Sequence, residues 1–277
     1  MKIFVAGATG VVGRRLVPLL VAAGHQVTGT TRRPERARTL ADQRATPVVV
    51  DVMDAAALAS AVAEASPDVI VHQLTDLSDE DFAANSRLRI VGTRNLVDAA
   101  RAAGVETMVA QSIAWLYRPG DTPAVESDPL DPSLPPYEGV AALEQAVAEM
   151  PRGVVLRYGA LYGAGTWYAP DGAIAARVRN GSLRRTPAWT SFVHADDAAA
   201  AVLTALDWPA GPVNIVDDEP ATSAEWLPVY CEALGMPTPG TARHAAATGR
   251  PASNARAREL GWKPRVASWR TGFSQQG

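Results

Sequence analysis

Gly7, Gly10 and Gly13 stand at i, i+3 and i+6, directly after the apolar run Ile3–Ala6 and before an apolar-periodic stretch from Arg14 to Ala23. A strand that breaks into such a triplet and re-enters as a helix makes the seat a dinucleotide needs. Gly7 permits the tight turn, Gly10 omits the Cβ so that backbone can approach a pyrophosphate, and Gly13 lets helix lie close on strand. Thr9 and Val11 complete the turn, and the helix start offers N–H groups and partial positive charge to the phosphates. The alternative is a purely structural turn. About 20 residues on, an NAD site presents an acid to the ribose 2′-hydroxyl. Here the second strand ends Thr30-Thr31-Arg32-Arg33, without an acid. Two arginines suit a 2′-phosphate through charge-assisted bonds, the alternative being a solvated basic helix start. The expected cofactor is therefore NADP(H).

Proton chemistry in this chain must work almost without lysine. Lys2 and Lys263 are the only lysines among 277 residues. Of the two basic side chains, only the ammonium readily shifts its pKa.

The elements that position these residues alternate in βαβ fashion. Strands are expected at Lys2–Ala6, Gln26–Thr31, 47–50, 68–72, 106–110 and 153–158, with one more near 211–216. Helical patterns lie around 14–23, 35–43, 55–64, 81–103 and 138–149. Near-continuous apolar strands such as Val69-Ile70-Val71 suit a parallel sheet covered on both faces, so the expected fold is a doubly wound α/β Rossmann sheet. After Gly159 six of the seven tryptophans appear, with more Pro and Gly. This reads as a Rossmann domain over 1–165 and about 190–220, with a smaller substrate lobe over about 166–189 and 221–277. The proline- and acid-rich segment 118–136 reads as a surface loop and candidate lid.

A formal charge of -3 and a pI near 5.8 argue against nucleic acid as a partner. The single Cys231 excludes a disulfide framework. No apolar run reaches about 18 residues, and the first strand begins too early to leave room for a signal peptide. The expectation is a cytoplasmic protein with a small-molecule substrate, no membrane or nucleic-acid partner, no metal site, and a homodimer as the assembly to test. His25, His72 and His244 show no metal-ligand spacing.

Several further segments, in order, resemble the extended short-chain dehydrogenase/reductases of the NAD(P)-dependent epimerase/dehydratase group. Asp51-Val52 is similar to the pair that contacts adenine, and Val69–Leu74 to the fourth strand with its cofactor-lining end at Leu74. Arg89–Leu96 resembles the family's Asn-Val-x-Gly-Thr-x-Asn-Leu helix, and Arg157–Gly163 the strand that places Tyr158 beside the nicotinamide. Phe192–Ala199 resembles Val-His-Val-Asp-Asp. The resemblance implies a catalytic Ser/Thr with Tyr-x-x-x-Lys, in which lysine lowers the tyrosine's pKa.

The departures are informative. Tyr137-Glu138-Gly139-Val140-Ala141 has alanine at the lysine position, and Arg89 replaces the family's asparagine. A phenol without a cationic neighbour is a poor base at neutral pH, although it still donates a proton. Arg89 is a candidate source of the missing charge. Ser112 aligns with the catalytic serine only after a one-residue shift, so it is either substrate-polarising or a structural hydroxyl. Tyr137 is either a catalytic donor or a hydrophobic cap of its helix. Trp115, Trp167 and Tyr168 are expected to wall the substrate pocket, with core packing as the alternative. The resemblance implies an NADPH-dependent reductase of a small, moderately apolar carbonyl or unsaturated compound. The alternatives are a non-redox isomerase, epimerase, dehydratase or cyclase, and a non-catalytic NADP(H) sensor.

Overall fold

The computed structural model describes residues 1–75, 81–246 and 248–275. In its first half β1 (Lys2–Ala6), α1 (Gly13–Ala22), β2 (Gln26–Thr31), α2 (Ala37–Asp42), β3 (Thr46–Val49), α3 (Ala55–Ala65) and β4 (Val69–His72) alternate. Next come α4 (Phe82–Arg87), a π-helical turn at Leu88–Gly92, α5 (Thr93–Ala102), β5 (Thr107–Ile113), α6 (Tyr137–Ala148) and β6 (Arg152–Tyr158). The expected continuous helix over 81–103 is thus three segments.

The remaining chain adds β7 (Ala160–Tyr162), α7 (Ala173–Arg179), β8 (Trp189–Thr190), β9 (Phe192–His194), α8 (Ala195–Ala205) and β10 (Gly211–Ile215). It closes with β11 (Ala221–Thr222), α9 (Ser223–Ala233), α10 (Ala255–Glu259) and α11 (Trp269–Gly272).

Seven strands make one sheet in the order β10-β6-β5-β4-β1-β2-β3, the doubly wound arrangement. The pairings of β1 with β2 and β4, of β2 with β3, and of β4 with β5 are parallel. Register aligns Phe4 with Ile70 and Ile70 with Met108. Because side chains alternate across a strand, these three share one face and pack with Leu58, Val62, Leu96, Leu143 and Val147 from α3, α5 and α6. Ala110 and Ser112 continue the Met108 row, which directs Ser112 toward the α6 side.

The chain divides into two compact units. The first comprises Met1–Ser112, Pro132–Leu156 and Ala199–Pro212; the second comprises Ile113–Asp131, Arg157–Ala198 and Val213–Gly277. The second unit has an aromatic core of Tyr162, Phe192, Trp226, Tyr230, Trp269 and Phe273. Tyr168 belongs to it, with its ring edge-on to Phe192 at 5.2 Å and to Trp226 at 5.6 Å. Trp167, like Tyr168 half-buried, packs against the same cluster. Trp115 is exposed.

The segment read as a lid is tied down within the second unit. Arg118 N–H donates to Pro129 O at 3.1 Å, Asp131 N–H to Leu116 O at 2.6 Å, and Ala124 N–H to Pro251 O at 2.7 Å. These bonds pair the backbone of residues 118–131 within the second unit.

Candidate active site

The glycine turn is built as its spacing requires. Gly7 sits at φ +87°, and a Cβ there would lie 2.6 Å from Gln73 O. Its N–H donates to Thr30 Oγ1 at 3.2 Å, which ties the turn to the end of β2. A Cβ on Gly13 would lie 2.2 Å from Gly7 O, so α1 approaches β1 only because that atom is missing. Gly10 differs. It is exposed, and a Cβ there would meet only Gly7 O at 3.3 Å and Gln73 O at 4.0 Å. Internal packing is thus tight but not prohibitive at 10, and approach of a ligand to bare backbone is a further reason for glycine there.

No side chain caps α1 and no acid lies in its first turn, among the described residues. Its leading N–H groups suit an anion. Thr9 Oγ1 donates to Thr31 Oγ1 at 3.4 Å, and Val11 O accepts from Arg15 Nη1 at 2.8 Å. Arg32 and Arg33 are exposed where β2 ends, and Thr31 Oγ1 accepts from Arg33 N–H at 3.1 Å. These residues fit a nicotinamide dinucleotide whose pyrophosphate meets the glycine turn.

Asp51 is exposed and its carboxylate accepts from Met53 N–H at 2.9 Å, forming a local turn. Val52 points into the apolar core instead. Leu74 is half-buried; its N–H donates to His72 Nδ1 at 3.2 Å and its carbonyl accepts from Gln111 Nε2 at 2.8 Å. With Nδ1 accepting, His72 carries its proton on Nε2, where Thr93 Oγ1 lies 2.9 Å away. Burial, and then the neighbouring Arg89 charge, push His72 down to about 4, so it is a neutral structural imidazole.

At the carboxyl end of β5 the structure shows a contact the sequence reading lacked. Ser112 is buried, and its hydroxyl donates to Glu144 Oε1 at 2.7 Å. Tyr137, Ala141 and Glu144 fall at i, i+4 and i+7 of α6 and hence on one face. Arg89, buried on the π-helical turn, is the cation near this carboxylate. Burial lowers the guanidinium to about 10 while the Glu144 charge supports it, so Arg89 remains a cation at neutral pH. Glu144 is thus the opposite charge that supports Arg89. Tyr137 is half-buried at the first position of α6. Glu144 carried one signal in the sequence: an acid three residues after the vacant lysine position, on the same helical face.

Tyr158 belongs to the second unit, where it is buried and its hydroxyl donates to Ala198 O at 3.4 Å. Asp197, at the start of α8, accepts from the backbone N–H groups of Arg265 and Val266 at 3.0 Å each, which makes it an anchor of the C-terminal segment. No cluster of metal-ligating side chains occurs among the described residues. Nor is any described helix long and apolar enough to cross a membrane.

Comparison with known proteins agrees with this geometry. The model of the NAD dependent epimerase/dehydratase family matches residues 3–216. A 3-diazoavenalumate denitrifying reductase from a Streptomyces species is 44% identical over 309 aligned positions, covering 100% of both chains. The Thermus thermophilus UDP-glucose 4-epimerase, solved in complex with NAD, superposes with a TM-score of 0.81 at 25% identity, covering 100% of this chain and 97% of that one. The Thermotoga maritima UDP-glucose 4-epimerase shares the fold, with a TM-score of 0.82 at 20% identity over 100% and 97% of the two chains. With its glycine turn, doubly wound sheet and full-length reductase relative, this chain belongs to the NAD-dependent epimerase/dehydratase family and is a nicotinamide-dependent enzyme of the oxidoreductase type.

Proposed function

We propose that the protein is an NADPH-dependent reductase of a small diazo-bearing carboxylate, releasing dinitrogen. The observation that carries this reading is Ala141, which leaves Tyr137 without the ammonium that ordinary carbonyl reduction uses in this family. Reducing a carbonyl develops an alkoxide that must be protonated as hydride arrives. A diazonium group makes no such demand. Hydride added to its terminal nitrogen gives a neutral diazene, which expels dinitrogen as the hydrogen takes its place on carbon. The balance is R–N2⁺ + NADPH → R–H + N2 + NADP⁺, and no oxyanion forms. The relative named as a denitrifying reductase of 3-diazoavenalumate supports the same chemistry.

When bound, the nicotinamide dinucleotide supplies the hydride. The chain's own residues bind, orient and exclude water. Gly7, Gly10 and Gly13 seat the pyrophosphate, Arg32 and Arg33 hold the 2′-phosphate, and Ser112 and Tyr137 orient the substrate at the carboxyl edge of the sheet.

The direct test mixes the purified protein with NADPH and a diazotised aminobenzoate carrying labelled nitrogen. One labelled dinitrogen released per NADPH consumed is the expected result. Consumption with a matched aryl ketone but not with the diazo compound would replace this reading with ordinary carbonyl reduction.

A further inference from the structure

A serine hydroxyl has one proton and two lone pairs, and an ionised carboxylate only accepts. The Ser112 proton goes to Glu144 Oε1 at 2.7 Å, in a site where Ser112 is 3% exposed. Arg89, the buried cation near Glu144, has donors only and so cannot take the place of the carboxylate as acceptor. Turning the serine proton toward a ligand would leave two oxygens 2.7 Å apart with no proton between them, which is costly. What Ser112 retains for a ligand is its lone pairs.

We infer that Glu144 sets Ser112 as a hydrogen-bond acceptor, so that the site takes a substrate presenting a hydroxyl, a protonated nitrogen or a cationic diazo group there and disfavours a carbonyl oxygen. Glu144 is a positioning residue: it acts through Ser112, and α6 holds it one turn beyond Ala141 on the same face. The inference rests on the reading that this edge of the sheet receives substrate. It reverses the role a family serine would have in polarising a carbonyl. The selectivity lies in the direction of one hydrogen bond.

Titration calorimetry with a nicotinamide dinucleotide present separates the possibilities, using 4-hydroxybenzoate and 4-formylbenzoate as probes that differ in donor and acceptor character. The wild type is expected to bind the hydroxyl probe about tenfold more tightly. Ser112→Ala should bring the ratio close to one. Glu144→Gln offers an amide N–H as well as an acceptor oxygen, so Ser112 is no longer held to donating and the ratio should move toward the formyl probe. If Glu144→Gln does not fold, because Arg89 loses its partner, the Ser112→Ala arm still decides. A wild type that binds both probes equally, or neither, overturns the inference, as does a preference that survives Ser112→Ala. A preserved preference without dinitrogen release would sink the diazo reading alone; release without any preference would sink this inference alone.

Discussion

Two glycines three residues apart perform different duties, and one methyl group distinguishes them. A Cβ on Gly13 collides with Gly7 O at 2.2 Å, whereas one on Gly10 meets that oxygen at 3.3 Å and Gln73 O at 4.0 Å. Gly13→Ala should therefore cost at least about 1–3 kcal/mol of stability as an overpacking change, read as a lowered melting temperature. Gly10→Ala should leave melting nearly unchanged and weaken cofactor binding at least tenfold in titration calorimetry. The proposed preference for NADPH rests on the arginines at the end of β2. Arg32→Ala combined with Arg33→Ala should erase an NADPH-over-NADH preference of tenfold or more, because each charge-assisted contact contributes about 1.5–3 kcal/mol. Equal affinities in the parent would return the assignment to NAD. Tyr137, with Ala141 where the family's lysine would stand, should matter only as a neutral donor: Tyr137→Phe is expected to lower turnover about 10–100-fold, below the usual ceiling for losing a general acid. An inactive variant would show that the phenol does more.

The packing of α6 on α4 governs where the face bearing Tyr137 and Glu144 sits. Gly139 permits that packing, since a Cβ would come within 3.0 Å of Ser86 Oγ and 3.1 Å of Ser86 Cα. Gly139→Val should push the two helices apart, costing about 1–3 kcal/mol and loosening the Ser112–Glu144 bond. The loss of melting temperature and of the probe preference should appear together. Apolar periodicity and glycine spacing made β1 to β6 legible within a residue or three at their ends. They did not reveal the π-helical turn at Leu88–Gly92, because widening one turn leaves the apolar rhythm of 81–103 intact. Glu144 stayed hidden for another reason: a motif read for its missing lysine directs attention to position 141, and the partner of Ser112 lies one turn farther on. Tyr168 was ambiguous in principle, since composition cannot tell an aromatic pocket wall from an aromatic core.

Two buried groups, one in each compact unit, contribute to stability with opposite dependence on pH. In the first, His72 is held down to about 4 by burial and Arg89, while an unfolded imidazole titrates near 6.5. The unfolded chain takes up this proton first, so the stability that His72 contributes is present above about pH 6.5 and is lost toward pH 4. In the second unit burial raises Asp217 to about 8, despite N–H donors from Glu219 and Trp269. The native state keeps that proton while the unfolded chain releases it near pH 4, so this contribution is present at low pH and declines as pH climbs toward 8. Calorimetry between about pH 5 and 8 should show one part of the melt strengthening as the other weakens. Asp217→Asn, which mimics the protonated acid, should flatten the second trend. A melt with no such dependence would mean that Asp217 is ionised throughout.

The opposite charges of buried Arg89 and half-buried Glu144 also shape which sequences can neighbour this one. Ala141→Lys alone would place a third charge where two already offset each other, and Arg89→Asn alone would strand Glu144 without its cation. Either route to a phenol–ammonium site thus crosses a poorly tolerated intermediate, and only the joint change keeps the interior neutral. A library that varies positions 89, 141 and 144 together should recover functional lysine variants almost entirely as multiple substitutions. That outcome would mean that the charges at 89 and 144 together keep a lysine out of position 141.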